Sequence, residues 1–191
     1  MAYKETKDPL TGKGKRHQNS AKQPDKILDV PFYAQRKDYT CGAATLKMVF
    51  EFFGKHRKED LLSKHMKTNT KTGTMHAEMI EEVGKENLYC YVNDKSNKEE
   101  IFYYLSLGMP VIAHFYDPSG DGCGHYSVIK GFKINVFNQG IFVLNDPWNG
   151  QSVELWENNF LYRWGKEHNW IMVISDKEFN TGKQYYPDNK F

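Results

Sequence analysis

The densest apolar stretch of the chain runs from Cys41 to Phe53. Ala43, Ala44, Leu46, Met48, Val49, Phe50, Phe52 and Phe53 fall there on more than one helical face, and Gly54 stands ready as a C-terminal stop. This pattern predicts a helix buried almost all round. Amphipathic helices are predicted at 58–66, through Leu61, Leu62 and Met66, and at 75–83, capped by Thr74 and closed by Gly84. A strand at 88–92 and a helix at 98–107, ended by Gly108 and Pro110, complete a mainly helical first half. Beyond Pro110, β-branched and aromatic runs separated by Gly, Asn and Asp predict strands at 110–115, 125–132, 140–145 and 169–174. Helices first and an antiparallel sheet afterwards make an α+β layout, in which chemical groups can come from the interface between the layers.

Length and composition narrow this to one core. The 191 residues are 39% hydrophobic and 15% aromatic, enough for a single packed interior. Residues 1–26 lack apolar periodicity and hold seven Lys/Arg against three acids, a local +4 that leaves -2 over residues 27–191 from a total of +2. The expected organisation is a flexible basic tail at 1–26, one folded domain at 27–176 and a C-terminal tail at 177–191. So balanced a charge argues against a nucleic-acid protein. No run of apolar residues reaches the roughly 18 needed for a membrane span, and the N-terminal stretch has no secretory core, so a cytoplasmic location is expected. Three cysteines without close paired spacing argue against a disulfide framework and against a zinc site of the C-x-x-C kind. No metal and no cofactor are expected.

Cys41, in Tyr39-Thr40-Cys41-Gly42-Ala43, stands at the start of the most apolar helix. A helix N-terminus carries about half a positive charge and unpaired N–H groups, both of which stabilise a thiolate nucleophile. Six residues earlier, Gln35 is an amide donor that can fold back beside the Cys41 N–H to form an oxyanion hole. Among seven histidines, His125 is the best placed base, at the start of a strand after Gly122-Cys123-Gly124. Gly124 there permits close approach of a substrate backbone. Asp146, in Leu144-Asn145-Asp146-Pro147 at the end of the next strand, is placed to hold the far nitrogen of His125. Trp148, just beyond, is expected near the cleft, either packing over these residues or contacting substrate.

The blocks Val30-Pro31-Phe32-Tyr33-Ala34-Gln35, Thr40-Cys41-Gly42-Ala43-Ala44, Gly108-Met109-Pro110-Val111-Ile112-Ala113, Gly124-His125-Tyr126-Ser127-Val128-Ile129-Lys130-Gly131 and Leu144-Asn145-Asp146-Pro147 follow one another in that order. Together they resemble the double-glycine (bacteriocin-processing) peptidase family and its stand-alone relatives, within the papain-like cysteine proteases. The resemblance spans about residues 28–174. It implies a papain-like α+β fold with Cys41 as nucleophile, His125 as base, Asp146 as orienting acid and Gln35 in the oxyanion hole, acting on a peptide or protein. Thr40 stands where the family commonly has an Asp.

The expected function is that of a cysteine peptidase working through an acyl-thioester. Two other readings stay open: an amidase or acyl or peptidyl transferase using the same residues, and a non-catalytic peptide-binding module. Cys90 is read as structural. Cys123 is read as an exposed bystander, with a reversible disulfide to Cys41 as the alternative. His114 is read as a semi-buried residue, His76 as a first-turn helix residue, and Asp117 and Asp121 as turn acids.

Overall fold

The computed structural model describes residues 3–6, 27–118, 124–179 and 182–187. Among the described residues, five helices and one antiparallel sheet make up the fold. In chain order they are β1 (Tyr3–Thr6), α1 (Cys41–Phe52), α2 (Glu59–His65), α3 (His76–Lys85), β2 (Tyr89–Asn93), α4 (Lys98–Ser106), β3 (Val111–Tyr116), β4 (Gly124–Ile134), β5 (Gly140–Asp146), β6 (Gly150–Trp156), α5 (Glu157–Gly165), β7 (Ile171–Ser175) and β8 (Gly182–Tyr185). The eight strands are ordered β1-β8-β2-β7-β3-β4-β5-β6. The α+β class expected from the apolar pattern is the class observed.

α1 is buried along most of its length, from Cys41 to Phe50 apart from Lys47. It ends where glycine permits. Gly54 takes a left-handed φ of +69° while the Lys55 N–H closes onto the Phe50 carbonyl at 2.8 Å. Asn97 caps α4 by accepting from the Glu100 N–H, and Gly108, at φ +77°, closes it as predicted. α3 departs from expectation at both ends. Thr74 does not cap it, because its hydroxyl pairs with that of Thr68 at 2.8 Å and its carbonyl accepts from the Tyr126 hydroxyl. Gly84 lies inside the helix, and the chain turns instead at Asn87, whose φ is +59°.

Four elements escape the apolar pattern. β6 is an edge strand with polar, mostly exposed positions, and α5 is held by little more than the buried pair Phe160 and Trp164, spaced i, i+4. Residues 3–6, expected in a flexible tail, pair with β8, and 182–185, expected in the C-terminal tail, lie between β1 and β2. Gln184 explains the second case, since its fully buried amide exchanges hydrogen bonds with the Phe179 backbone. The rest of 1–26 and of 188–191 lies outside the described residues.

Two irregularities in the sheet coincide with the anchoring of the segment that precedes α1. The β5–β6 register shifts between Leu144 and Asp146, so the neighbours Asn145 and Asp146 serve different partners. Asn145 Nδ2 donates to the Val30 carbonyl at 2.8 Å, tying the extended segment before Gln35 to the sheet. The Leu28 N–H donates to the Lys130 carbonyl at 2.8 Å, beside the β4–β5 register shift. At that shift Gly131 has no room for a side chain, because Ile27 would meet its Cβ at 2.4 Å.

Candidate active site

α1 packs against β4, where the Thr45 hydroxyl donates to the Tyr126 carbonyl at 3.1 Å. This contact sets the first residue of α1, Cys41, beside His125 of β4. Gly42 permits the approach of the loop after α2, since a Cβ there would lie 2.7 Å from Thr74 Cβ. Cys41 is buried, and His125 interacts with both Cys41 and Asp146. Asp146 Oδ1 lies 3.0 Å from His125 Nε2, which leaves Nδ1 as the nitrogen for Cys41.

Asp146 is held from several directions. Oδ1 also accepts the Trp148 N–H at 2.9 Å and the Asn149 N–H at 2.8 Å, while Oδ2 accepts the Ser127 hydroxyl at 2.9 Å. Burial alone would raise its pKa, but the hydrogen bond and charge of His125, with the two N–H donors, hold the carboxyl down at about 2. The opposite balance acts on His125. Burial disfavours its cation, yet hydrogen bonds to Asp146 and Cys41 outweigh that and push the imidazole up to about 10. An imidazole so held can orient, donate and accept protons at a neighbouring thiol.

Gln35 is anchored to the same turn: its N–H donates to the Pro147 carbonyl at 2.9 Å. Its Nε2 donates to the Lys37 carbonyl at 2.8 Å and keeps a second N–H, while Oε1 is buried with no hydrogen-bond partner among the described residues. The loop from Arg36 to Thr40 then leads into α1. It is braced by Glu59, whose buried carboxylate accepts the Thr40 hydroxyl at 2.7 Å and the Arg36 N–H at 2.9 Å.

Trp148 is half exposed beside this turn. Gly124 owes its missing side chain to His114, whose Nε2 would lie 2.2 Å from a Cβ at that position. His114 meets His76 edge-on at 5.0 Å, and His76 stacks on Trp170 at 4.0 Å. Burial lowers both histidines, to about 3 and about 4 respectively, which keeps both rings neutral, while Glu167 Oε2 lies 3.5 Å from His114 Nδ1. Cys90 is fully buried in β2, and its thiol is pushed up by burial. Cys123 and Asp121 lie outside the described residues.

Asp117 is more than a turn acid. It is buried, and its Oδ1 accepts from Arg163 of α5 at 2.8 Å while Oδ2 accepts from Asn149 Nδ2 at 3.1 Å. A chain of contacts therefore runs from Arg163 through Asp117 and Asn149 to Asp146 and His125. Neither Asn149 nor Arg163 was marked by any motif; an i, i+4 reading of Phe160 and Trp164 would have revealed the helix that carries the arginine. One donor atom each of Asp117, His125 and Asp146 lies within 4.8 Å of the others, a spacing that can hold a metal ion. Here those atoms engage Arg163, Asn149, Ser127 and one another, so the set reads as a hydrogen-bonded network.

The sequence model of the Peptidase_C39 like family matches residues 27–171. No curated protein sequence matches the chain. Among solved structures, the peptidase domain of Streptococcus ComA, a bi-functional ABC transporter involved in a quorum sensing pathway, is 23% identical, with a TM-score of 0.63 over 76% of this chain and 97% of that one. A double glycine motif protease from an AMS/PCAT transporter, solved in complex with the leader peptide, is 19% identical, with a TM-score of 0.60 over 80% and 96%. Recombinant stem bromelain precursor is 10% identical, with a TM-score of 0.55 over 78% and 68%. The architecture is thus the papain-like α+β fold. No helix among the described residues is long and apolar enough to cross a membrane.

Proposed function

The chain belongs to the Peptidase_C39 like family, and from that premise we propose that it is a cysteine peptidase with Cys41 as nucleophile, His125 as base, Asp146 as orienting acid and Gln35 as oxyanion donor. The observation that carries this reading is the position of the His125 ring, which interacts with Cys41 and has its Nε2 on Asp146 Oδ1 at 3.0 Å.

In the proposed cycle His125 takes the Cys41 thiol proton and Sγ attacks the peptide carbonyl, forming a C–S bond and, as the carbonyl π bond opens, a tetrahedral oxyanion. The free Gln35 N–H and the Cys41 N–H stabilise that oxyanion. The C–N bond then breaks as His125 gives its proton to the leaving amine, and an acyl-thioester remains on Cys41. His125, now neutral, takes a proton from water; the resulting hydroxide adds to the thioester carbonyl and the Cys41 thiolate departs. Asp146 stabilises the imidazolium each time it forms and fixes the tautomer of the neutral ring. A peptide substrate is favoured by the structural likeness to a protease solved with a leader peptide. Trp148 is assigned to substrate contact because it is half exposed next to Asp146.

The test is incubation of the protein with a proteome-derived peptide library, with new N-termini read by mass spectrometry for wild type, Cys41→Ala and His125→Ala. Cleavage by wild type alone is the expected result. Equal cleavage by Cys41→Ala would overturn the assignment. Adding primary amines to the same reaction and finding the new C-termini as amides in place of free carboxylates, with the new N-termini unchanged, would favour the transferase reading.

A further inference from the structure

A cavity of about 450 Å³ opens between the loop that leads into Cys41 and helix α2. Thr40, the residue before the nucleophile in the chain, is part of its wall. The wall carries Arg36, Lys37 and Lys64 against a single acid, Asp60. Asp60 is taken by Arg36, which leaves two positive charges, and among the described residues neither Lys37 nor Lys64 forms an ion pair. Glu59, behind the wall, accepts among the described residues only from the Thr40 hydroxyl and the Arg36 N–H, so its carboxylate offsets one of these charges from behind and a net single positive charge remains. Ser63 also lines the cavity, and its hydroxyl oxygen, turned away from the open space, is buried without a hydrogen-bond partner among the described residues. A buried hydroxyl left unpaired is costly, and a ligand able to accept from it removes that cost.

We propose that this cavity is a substrate subsite for an acidic side chain on the acyl side of the scissile bond. The carboxylate would sit between Lys37 and Lys64, and rotation of the Ser63 side chain about χ1 would bring its hydroxyl to it. The choice of side comes from the chemistry, and it rests on the peptidase reading. His125 must reach the leaving amine, so the leaving segment runs along the wall that carries His125. None of the cavity's residues comes from β3, β4 or β5, which places it on the helical side, where the acyl segment lies. An extended peptide advances about 3.3 Å per residue, which puts the favoured acid within two or three residues of the bond.

The test uses tripeptide chloromethyl ketones, acetyl-X-Ala-Gly and acetyl-Ala-X-Gly, with Asp, Ala or Lys at X, and follows alkylation of Cys41 by mass spectrometry. At one of the two positions the Asp probe is expected to label roughly tenfold faster than the Lys probe, each of two exposed lysines contributing modestly. The ratio should fall toward one in K37Q/K64Q and, in wild type, on raising salt from about 20 mM to about 500 mM. Because both rates come from the same protein, a general loss of reactivity cancels. Equal labelling by Asp and Lys probes at both positions, or a ratio that survives K37Q/K64Q, would overturn the subsite and leave the peptidase reading intact. Failure of the Ala probe to label Cys41 would overturn the peptidase reading, and the subsite with it.

Discussion

Asp146 faces His125 across 3.0 Å while accepting two backbone N–H groups on the same oxygen, so the acid is fixed before the imidazole reaches it. The pair makes stability depend on pH in both directions. His125, pushed up to about 10 from 6.5, contributes stability that is full below pH 6.5 and lost as the pH rises through 10. Asp146, held at about 2 against 3.8, contributes stability that is present above pH 3.8 and lost as the pH falls through 2. Urea midpoints measured from pH 3 to pH 10 should therefore peak between about pH 4 and 6.5 and decline toward pH 10. His125→Gln should remove most of the alkaline decline; an unchanged slope in that variant would mean the ring is not the titrating group.

Asp146→Asn keeps an oxygen for the Trp148 and Asn149 N–H groups but no longer holds the imidazolium by charge. The expected result is a loss of about 10³ to 10⁴ in kcat with a native circular dichroism spectrum. A drop confined to KM would place Asp146 outside the chemistry.

Gln35→Ala should lower kcat by about 10² to 10³, the range for loss of one oxyanion donor. Asn145→Ala acts on the same group from a distance, because its amide fastens Val30 in the segment that carries Gln35. It should cost about 1–3 kcal/mol in unfolding free energy, the penalty for stranding the Val30 carbonyl, and lower kcat as well. Unaltered kcat in Asn145→Ala would separate the two roles.

Arg163 and Asp117 are both largely buried, at 13% and 7% side-chain exposure, so losing one partner strands a charge. Arg163→Met should cost about 3–5 kcal/mol, and adding Asp117→Asn should recover much of it. A double variant no better than Arg163→Met would show that the two residues stabilise the fold separately.

Much of the architecture is readable from the chain alone, for identifiable reasons. Cys41, His125 and Asp146 each sit where an apolar run meets its punctuation, and such boundaries survive in a single sequence. α1, α4 and the strands from β3 to β5 bury nearly every apolar side chain they have, so their signal is strong. β6 faces outward through Gln151 and Ser152, and edge strands need few apolar residues to be held. The brace on Asp146 was invisible for another reason. Arg163 and Asp117 are 46 residues apart, and Asn149 and Asp117 are 32 apart, so no local period joins them.

The bond from Asn145 to Val30 links positions 115 residues apart. During synthesis the strand that anchors Gln35 is made last among the parts it needs, and contacts of such sequence separation form late in folding. On the ribosome, then, the chain would expose a thiol at the head of α1 long before it held an oxyanion donor, an oriented imidazole or the turn that fixes both. Such a nascent chain would leave the peptide bonds of its neighbours intact, and the proposed activity would switch on only once the second half of the sheet had closed.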